Sequence, residues 1–160
     1  MALQPILSDD PIARIFDFTT TYMDVPALPP EPTDYPYPLL ADMARAARDL
    51  HSRDAIAYVP YLPSGWNPRP WGDPRASFQL PNRSEWTAEL REMQRNLLDM
   101  PNLGFPLPDG GRQLSFTIYA WNEFGEGGFI APTQRSEYMK IEEIRNVFAE
   151  GMTQYASGHS

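Results

Sequence analysis

Two carboxylates three residues apart, Glu123 and Glu126, stand in the run Tyr119-Ala120-Trp121-Asn122-Glu123-Phe124-Gly125-Glu126-Gly127-Gly128. Along a strand, residues three apart point to opposite faces. A bend at Phe124-Gly125 would bring both acids to one cleft. Cleavage of a glycosidic bond uses two carboxyl groups, about 5–5.5 Å apart for retention and roughly 6.5–9.5 Å apart for inversion. Neighbouring acids also push their pKa values apart, so that one donates a proton while the other stays ionised. Spacing alone leaves a plainer role open, in which the two acids cap a turn or pair with Arg69 or Arg135.

A second constellation is Gly65-Trp66-Asn67-Pro68-Arg69-Pro70-Trp71-Gly72. Sugars present flat C–H faces that pack on aromatic rings, while Arg and Asn side chains reach their hydroxyls. Trp66, Trp71, Arg69 and Asn67 have the chemistry for that, and the flanking prolines would hold them stiffly. Either tryptophan could equally plug the end of the core. Thr20, Tyr22 and Asp24 alternate at the end of an upstream strand, where Tyr22 either lines a pocket or simply packs. For Tyr35-Pro36-Tyr37-Pro38 a solvated loop is a simpler expectation than another aromatic wall.

Other chemistries fall away. The only histidines, His51 and His159, sit at a helix end and in the terminal tail, and there is no cysteine. No His-based triad, thiolate site or zinc site is supported; the paired carboxylates could also hold calcium or magnesium, but neither a metal nor another cofactor is needed. The single lysine, Lys140, follows no phosphate-binding loop, and Gly125 to Gly128 lacks dinucleotide spacing. A net charge of −8 argues against nucleic acid as a partner. The longest apolar runs are a few residues, too short for a membrane span, and Met1 to Pro5 does not read as a signal peptide. With 42% hydrophobic residues, the chain has the make-up of a globular domain.

The elements that must position these residues repeat three times as strand, long loop and helix, in units of about 13–50, 54–100 and 113–150. Ala13 to Tyr22, Asp54 to Leu62 and Gln113 to Trp121 read as strands from their β-branched, aromatic and apolar content. Leu39 to Leu50 has helical spacing, with Arg45 and Arg48 on its surface. Asn82 with Glu85 suggests a capping box, Ser84 being a rival cap, ahead of a helix bearing Trp86, Leu90, Met93 and Leu97. A last helix is expected from a Ser136 cap, with Tyr138, Ile141, Ile144 and Phe148 buried and Gly151 past its end. Proline-rich stretches, Val25 to Pro38 and Pro63 to Pro81, hold many of the 18 prolines and follow strands.

This alternation predicts an α/β fold with a parallel sheet. Long aromatic loops after strands and short connections after helices point to a (β/α)8 barrel of the TIM type, whose function sits at the C-terminal strand ends. Three units cannot close such a barrel, so the chain is either a fragment of one, which is the expectation, or a small open α/β domain with two raw sheet edges. Open sheet edges beside Phe16, Phe18, Phe116 and Ile118 would then favour self-association.

The strand Phe116 to Ala120 followed by Trp121-Asn122-Glu123-Phe124-Gly125-Glu126-Gly127-Gly128-Phe129-Ile130-Ala131-Pro132-Thr133 resembles the last-strand motif of glycoside hydrolase family 99-like barrels. That family includes endo-acting α-mannosidases, α-mannanases and domains of polysaccharide-biosynthesis proteins. The resemblance implies a glycan or polysaccharide partner, with Glu123 as the base acting on a sugar 2-hydroxyl and Glu126 as proton donor to the leaving group. Turnover would be retaining, and Asn122 would orient Glu123 or the substrate beside Trp121. The chain departs from the family pattern at Ala131, where an acidic residue is usual, and at Gly125, where the hydrolases often carry His. The Gly65 to Pro70 stretch matches a family run in which Asn67 stands where Asp is usual. The order of elements is similar to the last three βα units of those barrels, so the resemblance implies the C-terminal part of a (β/α)8 barrel. The alternative readings are a non-catalytic carbohydrate-binding or polysaccharide-biosynthesis module, an inactive fragment of such a barrel, or an unrelated structural or interaction protein.

Overall fold

The computed structural model describes residues 10–22, 28–29 and 34–157, without the side chains of Ile12 and residues 150–157. Asp24, Met1 to Pro5 and half of the first proline-rich stretch lie outside the described residues.

Among the described residues the fold is mixed α/β, with parallel strand pairs and three α-helices. β1 (Phe18–Thr20) pairs in parallel with β2 (Ala57–Val59), Phe18 facing Ala57 and Thr20 facing Val59. After Pro60 the same run continues as β3 (Tyr61–Pro63), paired in parallel with a later strand at Thr117–Tyr119. Between them lies a small antiparallel hairpin of β4 (Phe105–Pro106) and β5 (Arg112–Gln113), so Thr117–Tyr119 is β6. Parallel pairing sends the chain out of β1, β3 and β6 at the same end, where the three long loops begin.

The strands are shorter than their apolar runs. Pro11–Arg14 is a 3-10 turn rather than strand, and only Phe18–Thr20 pairs. Pro60 lacks an N–H and divides the central run, although its carbonyl accepts from the Thr117 N–H at 2.9 Å. Arg112 and Gln113 belong to the hairpin, not to β6.

α1 (Tyr37–His51) starts with Pro38 in its first turn and buries Tyr37, Leu40, Ala41, Ala44, Ala47 and Arg48. That stripe corrects two expectations. Tyr37 belongs to the core rather than a solvated loop, its hydroxyl donating to the Pro63 carbonyl at 2.9 Å. Arg48 is buried rather than on the surface, because α2 (Arg83–Asp99) packs on that face and offers Glu92 at 3.5 Å. Arg45 joins the same seam through Glu89 at 2.7 Å.

α2 opens on the capping box: the Glu85 N–H donates to Asn82 Oδ1 at 3.0 Å, and the Asn82 N–H donates to Glu85 Oε2 at 2.9 Å. Ser84 donates to Asn82 instead of capping. Trp86, Leu90, Met93 and Leu97 are all buried, joining Tyr58, Leu62, Phe78 and Leu103 in one core. α3 (Met139–Ser157) begins later than its sequence suggests and runs through Gly151. Glu137 takes a positive φ of 46°, and its N–H donates to the Thr133 carbonyl at 2.8 Å. The chain is thus still turning at Tyr138, which is 62% exposed rather than buried. The buried face of α3 therefore carries Lys140, Glu143 and Val147.

Candidate functional site

β6 ends at Tyr119, and the acidic motif follows at once. β7 (Asn122–Glu123) and β8 (Gly128–Phe129) pair antiparallel, with Asn122 facing Phe129 and Glu123 facing Gly128. A 3-10 turn, Phe124–Glu126, joins them and ends at Gly127 with φ 68°. The bend expected at Phe124-Gly125 is therefore present, at the end of the strands from which the long loops leave.

Glu126 is held from two sides. Its carbonyl accepts the Asn67 N–H at 2.5 Å, which ties the turn to the loop after β3. Its carboxylate accepts a hydrogen bond from the Tyr119 hydroxyl. Burial, reinforced by the Glu126 carboxylate, pushes the Tyr119 phenol well above its ordinary value. The phenol keeps its proton and so stays the donor. Tyr22 stands edge-on to Tyr119 at 5.1 Å, and Trp66 lies 6.1 Å away. The Arg75 guanidinium sits over the Trp66 ring at 4.7 Å and is bound by Asp73 at 2.6 Å.

Close approach fixes two glycines of the motif. A Cβ on Gly128 would fall 2.4 Å from the Tyr119 ring, and one on Gly125 would fall 2.5 Å from Trp71 Nε1. The Trp71 indole thus lies against the turn while remaining 71% exposed. Trp121 and Phe124 are exposed on the same segment, and Tyr22 is 76% exposed.

The other candidates distribute unevenly. Glu123 and Asn122 are exposed on β7. Among the described residues neither Glu123 nor Glu126 forms an ion pair, so pairing with Arg69 or Arg135 is not their role. Arg69 turns instead to Asp34, 3.1 Å away. Asn67 uses its side chain locally, accepting from the Arg69 N–H at 3.3 Å. Trp66 is only 3% exposed, so it plugs the core and offers no open face to a sugar; its Nε1 has no hydrogen-bond partner among the described residues.

Sequence reasoning passed over three contributors. Tyr119 opens the motif, five residues before the turn, but nothing in its type distinguishes a carboxylate holder from core packing. Arg75 lies beyond the tryptophan loop. Lys140 is buried under the site, its Nζ donating to the Ser64 and Phe129 carbonyls at 2.6 Å each. It thereby links the loops that begin after β3 and after β6 to α3. Burial lowers its pKa from 10.5 to about 8.

A hollow of about 550 Å³ opens on the flank of the turn, lined by Asn67, Phe78, Phe124, Gly127, Phe129 and Arg135, among others. Neither catalytic candidate lines it, so the hollow and the Glu126 carboxylate are adjacent features sharing the Phe124–Gly127 turn.

Among the described residues no cluster of His, Cys, Asp and Glu could hold a metal ion, and no helix is long and apolar enough to cross a membrane. No family model, curated protein or solved structure matches the chain.

Proposed function

We propose that this chain carries a carbohydrate site of the glycoside hydrolase kind, built on three βα units corresponding to the C-terminal part of a (β/α)8 barrel. The parallel pairs in sequence order and the common exit of the long loops support that architecture. The observation that carries the functional reading is the Glu126 carboxylate, held by Tyr119, on which the exposed Tyr22 packs, in a turn that the exposed Trp71 lies against. A carboxyl group of fixed orientation suits proton transfer, and open aromatic faces suit sugar rings. Glu126 is the proton donor in this reading. Glu123 is the base of the retaining route, with Asn122 and Trp121 beside it on the substrate.

The test is hydrolysis of α-linked oligosaccharides, followed by product analysis, by the protein and by its Glu126→Gln and Glu123→Gln variants. Each substitution should lower turnover by about 10²- to 10⁴-fold, with the thermal melt unchanged. Full activity in either variant removes that residue from the chemistry.

A second reading has its own observation. Ala131, buried two residues after β8, stands where the family that the motif resembles usually carries an acid. A site lacking that group would bind glycans without cleaving them, as a binding or polysaccharide-biosynthesis module. Oligosaccharide binding that survives both Glu→Gln changes, with no hydrolysis by the unaltered protein, would favour it.

A further inference from the structure

We infer that the hollow flanking the Phe124–Gly127 turn is a subsite for an acidic sugar unit, whose carboxylate is received by Arg135. This rests on the carbohydrate reading above and specifies the class of glycan. Three observations carry it.

The first is charge. Among the described residues the hollow holds one acid, Asp34, and that acid is already engaged by Arg69 at 3.1 Å and by the Ser77 hydroxyl at 2.6 Å. Arg135 has no ion-pair partner among the described residues, although the whole chain carries a net charge of −8. The hollow thus presents a guanidinium without an ion-pair partner among the described residues, on a chain of negative net charge. A guanidinium is suited to this task because its planar fork meets both oxygens of a carboxylate.

The second is lining. Phe124 offers an exposed ring at the mouth, and the side walls include Phe78 and Phe129. Gln79 and Asn67 add amide groups that can reach hydroxyls. Apolar walls with a few polar groups, in a volume of about 550 Å³, suit a small ring-shaped ligand.

The third is position. Phe124 and Gly127 line the hollow, and Glu126 lies between them in sequence with its carboxylate on Tyr119. A glycan crossing this short turn would seat one unit against Arg135 while a neighbouring linkage meets Glu126.

The experiment is a calorimetric or NMR titration with two matched series, glucuronate and galacturonate oligomers against neutral glucose and galactose oligomers. The unaltered protein and its Arg135→Gln and Arg135→Lys variants are compared, with thermal melts to establish that each is folded. The acidic series should bind about tenfold or more tightly than the neutral one, the usual scale of a charge-assisted hydrogen bond. Arg135→Gln should abolish the difference while leaving neutral binding in place, and Arg135→Lys should restore part of it. Equal binding of the two series, or a difference that survives Arg135→Gln, overturns the acidic subsite and leaves the carbohydrate reading standing. Binding of neither series overturns both.

Discussion

Tyr119 is a core residue in burial and a site residue in what it does. Its ring packs on the flat surface left by Gly128, and its hydroxyl reaches the Glu126 carboxylate. Removing only the hydroxyl, as Tyr119→Phe, should cost about 1 kcal/mol of stability by chemical denaturation. Gly128→Ala should cost more, because the new methyl group displaces the whole ring. A Tyr119→Phe protein as stable as the unaltered one would mean that the hydroxyl does not need Glu126. The carboxylates were legible in the sequence because two acids beside glycines after a strand are a local pattern. Their holder was not, since its partner choice depends on a turn that no alternation rule specifies.

The third helix acts on the site through one side chain. Lys140 joins α3 to the carbonyls of Ser64 and Phe129, and burial lowers its pKa to about 8. A neutral amine retains two N–H groups, enough for both carbonyls. Below pH 8 the lysine is charged in folded and unfolded chains alike, and the folded state carries the burial penalty. Between about 8 and the unfolded value of 10.5, the folded chain releases the proton first. Stability should therefore rise with pH across that window, by up to about 3 kcal/mol. Unfolding measured from pH 7.5 to 9.5 checks this: Lys140→Met should flatten the rise, and an identical slope would refute the assignment. The sequence marked α2 well because the Asn82 and Glu85 cap is chemically local. It misplaced the start of α3 because the positive φ at Glu137 delays the helix, turning Lys140 inward and Tyr138 outward. Arg48 was misread for a related reason: a charged residue reads as surface until another helix supplies Glu92 and covers it.

On the scale of the molecule, two parallel pairs in chain order reproduce the predicted alternation, although every strand is shorter than its apolar run. Apolar content tells which segments enter the core; it does not tell where a hydrogen-bonded ladder stops. β1 and β6 each have one strand partner among the described residues, and Ile15 and Phe16 are exposed beside β1. Sedimentation velocity over a range of concentrations should show self-association, which added salt strengthens by screening the net charge of −8. A single monomeric species at every concentration and salt level would argue that these edges are protected.

The chain has one lysine, and the fold hides it: Lys140 is 4% exposed. Acylating reagents that act on lysine therefore find no accessible target while the protein is folded, and gain one only when α3 lifts from the loops. The rate at which Lys140 is acylated is thus a built-in clock for the opening of the ground on which Glu126 stands.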